Sequence, residues 1–269
     1  MTIDTRLSPG SARLRAPSDT ESEGCALSIR LLVLSLAVSP AAFAAHPLQT
    51  EDTGTQGAGN VEIENGLARA RQDGTQLTTF QPQVSVGLAT ALDAIVQPSL
   101  VRWRAPGQCA SGWGDTNLDA KWRFWGRDPW SLALRAGLQA PTSQHGLGVP
   151  RGQWGEHAVL VATWDAAPTT VHANLGLAHA PAAPGARATT ARVSAALMQA
   201  IDERLILTFD SEFDQDPDPH RHAWPGSLLG GLIWTARPGL DLDVGMQRSV
   251  AARLVNRQWM AGLTYRFAL

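Results

Sequence analysis

From Asn60 to Leu269 the chain repeats one unit about twelve times: roughly ten residues in which apolar positions alternate with polar or small ones, then a turn or loop. The alternation predicts strands at 60–71, 75–88, 94–104, 115–125, 130–139, 155–165, 169–179, 189–200, 204–214, 226–235, 239–249 and 256–267. The second sets Phe80, Pro82, Val84, Val86 and Leu88 against Gln81, Gln83, Ser85 and Gly87. The fourth sets Leu118, Ala120, Trp122 and Phe124 against Asn117, Asp119, Lys121 and Arg123. The seventh, eleventh and twelfth repeat this, with Val171, Leu175, Leu242, Val244, Leu263 and Tyr265 opposite His172, Asn174, Asp241, Asp243, Thr264 and Arg266. A period of two places each set on one side of a sheet. Between Arg192 and Leu207, Val193, Ala196, Leu197, Ala200 and Ile201 also fit a helical period, so a helix competes with the eighth and ninth strands.

Alternation alone fits a soluble sandwich or a barrel with an apolar exterior. Three features favour the barrel. Connections alternate in length: 89–93, 126–129, 166–168, 201–203 and 236–238 are short, whereas 105–114, 140–154, 180–188 and 215–225 are long. Short periplasmic turns and long outer loops give this rhythm. The first connection, Gln72-Asp73-Gly74, breaks the trend as a tight hairpin. The tryptophans, ten in all, gather at strand ends: Trp103, Trp113, Trp154, Trp224 and Trp259 toward one rim, Trp125, Trp130, Trp164 and Trp234 toward the other. Indole favours the headgroup level of a bilayer. Finally, one face is Leu, Val, Ala and Trp, and the other holds most ionisable groups. The expected fold is all-β: a transmembrane antiparallel up-and-down β-barrel of about 12 strands, closed because lipid cannot satisfy open backbone groups.

The N-terminal region carries an apolar core, Leu31 to Val38, preceded by Arg30 and followed by Ala42-Phe43-Ala44. This fits a signal peptide cut after Ala44, and the apolar run is shorter than a membrane span. The chain therefore divides into an N-terminal extension and signal peptide (1–44), an arm (45–59) and a barrel (60–269). The arm is polar, glycine-rich and aperiodic, which fits a periplasmic tail or a plug inside the barrel. Export plus the barrel pattern places the protein in the bacterial outer membrane, with lipid and lipopolysaccharide as partners.

The segment His46-Pro47-Leu48-Gln49-Thr50-Glu51-Asp52-Thr53-Gly54-Thr55-Gln56-Gly57, running into Val61-Glu62-Ile63-Glu64, resembles the mature start of the outer membrane family named for the meta-pathway of phenol degradation. Gly114-Asp115-Thr116-Asn117-Leu118-Asp119-Ala120-Lys121-Trp122-Arg123-Phe124 resembles an internal strand of that family. The resemblance implies a transporter-like barrel related to channels for aromatic or hydrophobic compounds. Members usually end on an aromatic residue, whereas here Phe267 is followed by Ala268 and Leu269.

The predicted lumen lining is Glu62, Glu64, Gln81, Gln83, Asp119, Lys121, Arg123, Arg135, Gln139, His172, Asn174, Arg192, Asp210, Glu212, Asp241, Asp243 and Arg266. Such groups set selectivity in a narrow aqueous path or pair across strands to fill a small lumen. The net charge of −2 argues against nucleic acid as a partner. The presequence takes Cys25 and leaves Cys109, so no disulfide is expected in the mature chain. Asp214 to His222 is dense in metal-type ligands, but its prolines and missing distal glutamate spoil a calcium loop. No metal and no cofactor is expected, and no Gly-x-Ser-x-Gly or His-Glu-x-x-His is present. The leading function is a passive channel for small solutes, aromatic or hydrophobic by resemblance, and not an enzyme. Two alternatives stand beside it: a lipid-acting enzyme pairing Ser85 or Ser194 with His172, and a structural or adhesive barrel with a packed lumen. The sequence leaves the oligomeric state open.

Overall fold

A computed structural model describes residues 47–72, 74–143, 153–180, 185–250 and 257–269. The predicted signal peptide, His46, Asp73 and residue 256 of the last predicted strand lie outside the described residues. The strands are β1 (Asn60–Gln72), β2 (Thr75–Ala89), β3 (Leu92–Gln97), β4 (Leu100–Ala105), β5 (Gln108–Trp113), β6 (Thr116–Arg127) and β7 (Trp130–Ala140). They continue as β8 (Gly155–Ala166), β9 (Thr169–His179), β10 (Thr189–Ala200), β11 (Leu205–Asp214), β12 (Gly226–Arg237), β13 (Leu240–Val250) and β14 (Arg257–Ala268).

Every pairing is antiparallel, and β1 bonds to both β2 and β14, so the sheet closes. Twelve strands form the wall, and β4 and β5 are additional. The third predicted strand is split. The chain leaves strand conformation at Pro98 and Ser99, where proline has no N–H for a ladder. β4 then pairs with the upper half of β2 and turns back into β5. The connection expected at 105–114 is thus mostly a hairpin. Its Pro106-Gly107 corner, with Gly107 at φ +72°, has the residues of a type II turn.

The segment that also fitted a helix forms β10 and β11. Val193 and Leu197 face outward there, while Ala196 faces inward and is 2% exposed. No helix among the described residues is long and apolar enough to cross a membrane. Strands do the crossing. The outer surface is a band of Leu, Val, Phe and Trp, with Leu118, Trp122, Leu160, Leu175, Leu232, Val244 and Leu263 all open to the surroundings. The inner surface buries charged and amide side chains. A soluble protein has the reverse arrangement, so the band is a lipid-facing wall of the outer membrane type.

Candidate functional site: the lumen and the arm inside it

The closed ladder sends alternate side chains inward, so the lumen is built by twelve strands at once. Inward and buried are Glu62, Glu64, Gln83, Asp119, Lys121, Arg135, His172, Asn174, Arg192, Asp210, Glu212 and Asp243. Gln81, Arg123, Gln139 and Asp241 are half-buried. Arg266 is the exposed member; it sits at the end of the barrel where β1 begins and β14 ends, and bonds Glu62 (2.5 Å) and Asp241 (2.5 Å).

The arm, residues 47–59, enters this space. Its root lies beside the β2–β3 turn, where Gly59 N–H donates to the Gly87 carbonyl (3.0 Å) and Thr55 Oγ1 to that of Thr90 (3.1 Å). Gln56 N–H reaches the Asp93 carboxylate (3.0 Å) and Gln56 Nε2 donates to Glu62 (2.8 Å). Thr53 Oγ1 meets Ser131 Oγ (2.5 Å), and its N–H donates to Thr163 (3.2 Å). Farther in, the Thr50 hydroxyl donates to Asp210 Oδ1 (2.7 Å), while the N–H groups of Gln49 and Thr50 share Asp210 Oδ2. Leu48 packs with Ala196, Leu229 and Met260. Opposed glycines make room for the tip: a Cβ on Gly231 or Gly245 would stand 2.8 Å or 3.0 Å from Pro47.

Glu51 is the centre of the contact. One carboxylate oxygen takes the Lys121 ammonium (2.7 Å) and the other the Arg135 guanidinium (2.5 Å). The Asn174 carboxamide clamps the Glu51 backbone, accepting its N–H (2.6 Å) and donating to its carbonyl (2.9 Å). Arg135 is 1% exposed and fills its donor fork with Glu51, Asp119 (2.7 and 2.9 Å) and Gln83 (3.1 Å). His157 Nε2 lies 2.8 Å from the other oxygen of Asp119. Asp52 also meets Lys121 (3.0 Å). Burial opposes ionisation of Asp52, but the Lys121 charge outweighs it and holds the carboxyl below the ordinary carboxylate range.

The lumen wall carries further polar contacts between its own strands. Arg192 pairs with Glu212 (3.2 Å) and Asp214 (2.6 Å) on β10 and β11. Glu64 accepts from Gln83 (2.5 Å). The wall also carries an apolar inward patch of Ala133, Val159 and Val161. Alternation in the sequence does not bring forward Thr50, Glu51, Asp52 or Thr53, because the arm has no period. Nor does it single out His157, Asp93 or Thr163. One signal was present: the acidic Glu51-Asp52 pair and the chain's one lysine, Lys121, are complementary in charge.

The serine–histidine pair does not form. His172 meets Thr163 Oγ1 (2.8 Å) and Met198 Sδ (3.3 Å), and buried Ser194 Oγ has no hydrogen-bond partner among the described residues. In the 214–222 loop Arg221 pairs with Asp216 and Asp218, and no group of three metal-type ligands gathers among the described residues.

Fold and lumen together define an outer membrane β-barrel with its own N-terminal arm in the interior. Residues 44–267 match the family described as "Putative MetA-pathway of phenol degradation", and the chain belongs to that family. No curated protein sequence matches the chain. Among solved structures it is similar to an outer membrane channel from Pseudomonas putida F1 at 12% identity and TM-score 0.66, over 80% of this chain and 98% of that one. It is also similar to the NanC porin at 9% identity and TM-score 0.55, over 75% and 98%, and to the KdgM porin at 9% and 0.54, over 76% and 99%. At such identities the likeness is one of fold, that of a porin-like outer membrane barrel.

Proposed function

We propose that the protein is a passive outer membrane channel for small solutes that combine an apolar ring or chain with a polar end. The arm is its plug. The observation that carries this reading is how the arm is held. Residues 47–56 contact the wall through side chains and through backbone bonds to side chains; among the described residues they add no strand to the sheet. A segment held in this way can leave without opening the barrel. The wall behind it joins fixed charges at Lys121, Arg135 and Asp119 to apolar surface at Ala133, Val159 and Val161. That mixture suits an amphipathic solute better than a purely charged one. The family description and the outer membrane channel of similar fold support the same reading.

The test is flux through the full chain in planar bilayers and in vesicles. Expected are brief openings over a mostly closed baseline, and permeation by small phenolic solutes in preference to sugars of equal size. Silence under every gradient, with no solute flux, would remove the channel. The filled lumen gives weight to a second reading, a structural barrel with a packed interior, which expects that silence.

A further inference from the structure

The outside of the barrel is not alike all the way round. β1 turns Leu67, Arg69 and Arg71 outward, since Glu64, Gly66 and Ala70 on its other face are buried. The ladder register carries this outward face across neighbouring strands. Arg71 stands opposite Arg257 on β14, and Arg257 opposite Arg248 on β13. On its other side Arg71 stands opposite Gln76 on β2, and Gln76 opposite Arg104 on β4. Two residues farther from the strand ends, the row reads Met246, Trp259, Arg69, Thr78 and Arg102. The next row, Val244, Ala261, Leu67, Phe80 and Leu100, carries no charge.

Arg69, Arg71, Arg102, Arg104, Arg248 and Arg257 are all exposed. Among the described residues none of them meets a carboxylate, and their only side-chain hydrogen bond runs from Arg69 to Gln76 Oε1 (2.9 Å). Arg71, Arg257 and Arg248 stand side by side on adjacent strands about 4.8 Å apart. Like charges placed directly opposite destabilise a sheet. An anion lying over them removes that cost, and guanidinium groups take phosphate oxygens through paired hydrogen bonds.

Position selects the source of the phosphate. The long connections from β7 to β8, β9 to β10 and β11 to β12 open at the same end as these arginines, so this is the outer rim. Trp259, the strand neighbour of Arg69, marks the headgroup level, and the uncharged row begins about 7 Å below it along the strand. Across the barrel, the outward residues at the corresponding strand ends are Leu138, Glu156, His179 and Thr189, with no arginine and one carboxylate.

We propose that this one-sided arginine belt binds the phosphate groups of lipopolysaccharide lipid A in the outer leaflet. The row of Arg71, Arg257 and Arg248 takes one phosphate. Arg102 and Arg104, two strands away at about 10 Å, take the second across the lipid's disaccharide. The belt works whether or not solute passes through the lumen.

The full chain, freed of lipid in detergent, tests it, with heat-modifiable migration as the check on folding. Affinity is read from the rise in unfolding temperature as each probe is titrated in. The probes are lipid A with both phosphates, the same lipid A with both removed, phosphatidylglycerol, and inorganic phosphate. The parent binds the phosphorylated lipid A about tenfold or more tightly than the dephosphorylated form. Arg71→Gln/Arg248→Gln/Arg257→Gln weakens this binding by about tenfold or more. Without lipid, that variant unfolds at or above the parent's temperature, because its facing charges are gone. Arg102→Gln/Arg104→Gln, on the hairpin outside the closed wall, also weakens binding by about tenfold. Arg127→Gln/Arg204→Gln/Arg237→Gln removes as much charge at the opposite end and leaves binding within about twofold, beyond the reach of screened charge. Equal affinity for both forms of lipid A, or undiminished binding by the first two variants, overturns the belt. Equal loss in the third variant also overturns it, since net charge alone then decides. Phosphatidylglycerol or inorganic phosphate binding as tightly as lipid A overturns lipid A as the occupant.

Discussion

Deleting residues 47–57 raises the conductance of the reconstituted barrel by about tenfold or more, the order expected when a segment filling a narrow barrel leaves it. The wall survives because its hydrogen bonds run strand to strand from β1 round to β14 and none passes through those residues. Lys121 and Arg135 lose Glu51 in this variant, but the emptied lumen admits water to both. Arg135 also keeps Asp119. Folding is checked by heat-modifiable migration, which stays as in the parent. Conductance that does not change would mean that the outer loops or the wall, rather than the arm, close the lumen.

Replacing Glu51 with alanine has the opposite logic. The arm remains, yet each of two buried cations loses one carboxylate, Lys121 keeping Asp52 and Arg135 keeping Asp119 and Gln83. Removing one partner of a buried pair costs about 3–5 kcal/mol, since the remaining charge stays desolvated. The lumen offers a cheaper outcome, in which the arm swings out and water returns. Release is therefore favoured by more than about a hundredfold, taking 1.4 kcal/mol per factor of ten. Protease cleavage within 47–57 of vesicle-inserted protein checks it, with the barrel's own unfolding transition unchanged. Adding Arg135→Met recovers part of the docking, because the stranded guanidinium is then gone. Loss of the barrel transition itself would place Glu51 in the structural core and count against a detachable arm.

The wall was legible in the sequence because its period is imposed by lipid on one side. Leu118, Val244 and Leu263 alternate with Asp119, Gly245 and Thr264 since acyl chains admit one kind of residue and the lumen another. β10 was less legible because Ala196, which faces the arm, is as apolar as the residues facing lipid. The split of the third strand was hidden for a different reason. Pro98 looks like the end of a strand, yet the hairpin beyond it continues on β2. Pro106-Gly107 marked that turn in a stretch read as loop. For the lumen, alternation sorted the ionisable residues by face and stopped there. Which of them meet was set by an aperiodic arm: Asp210 by Thr50, Lys121 and Arg135 by Glu51. Partners 70 to 160 residues apart leave no local spacing to read.

All of this rests on an apolar exterior in contact with acyl chains. The direct measurement is tryptophan fluorescence of the protein in vesicles whose lipids carry bromine at defined depths. Trp113, Trp125, Trp130, Trp154, Trp234 and Trp259 are all exposed on the outer surface near strand ends. Strong quenching is expected from bromines near the headgroups, and weaker quenching from bromines at the chain ends. Fluorescence indifferent to bromine at every depth, with full quenching by aqueous iodide, would contradict the account.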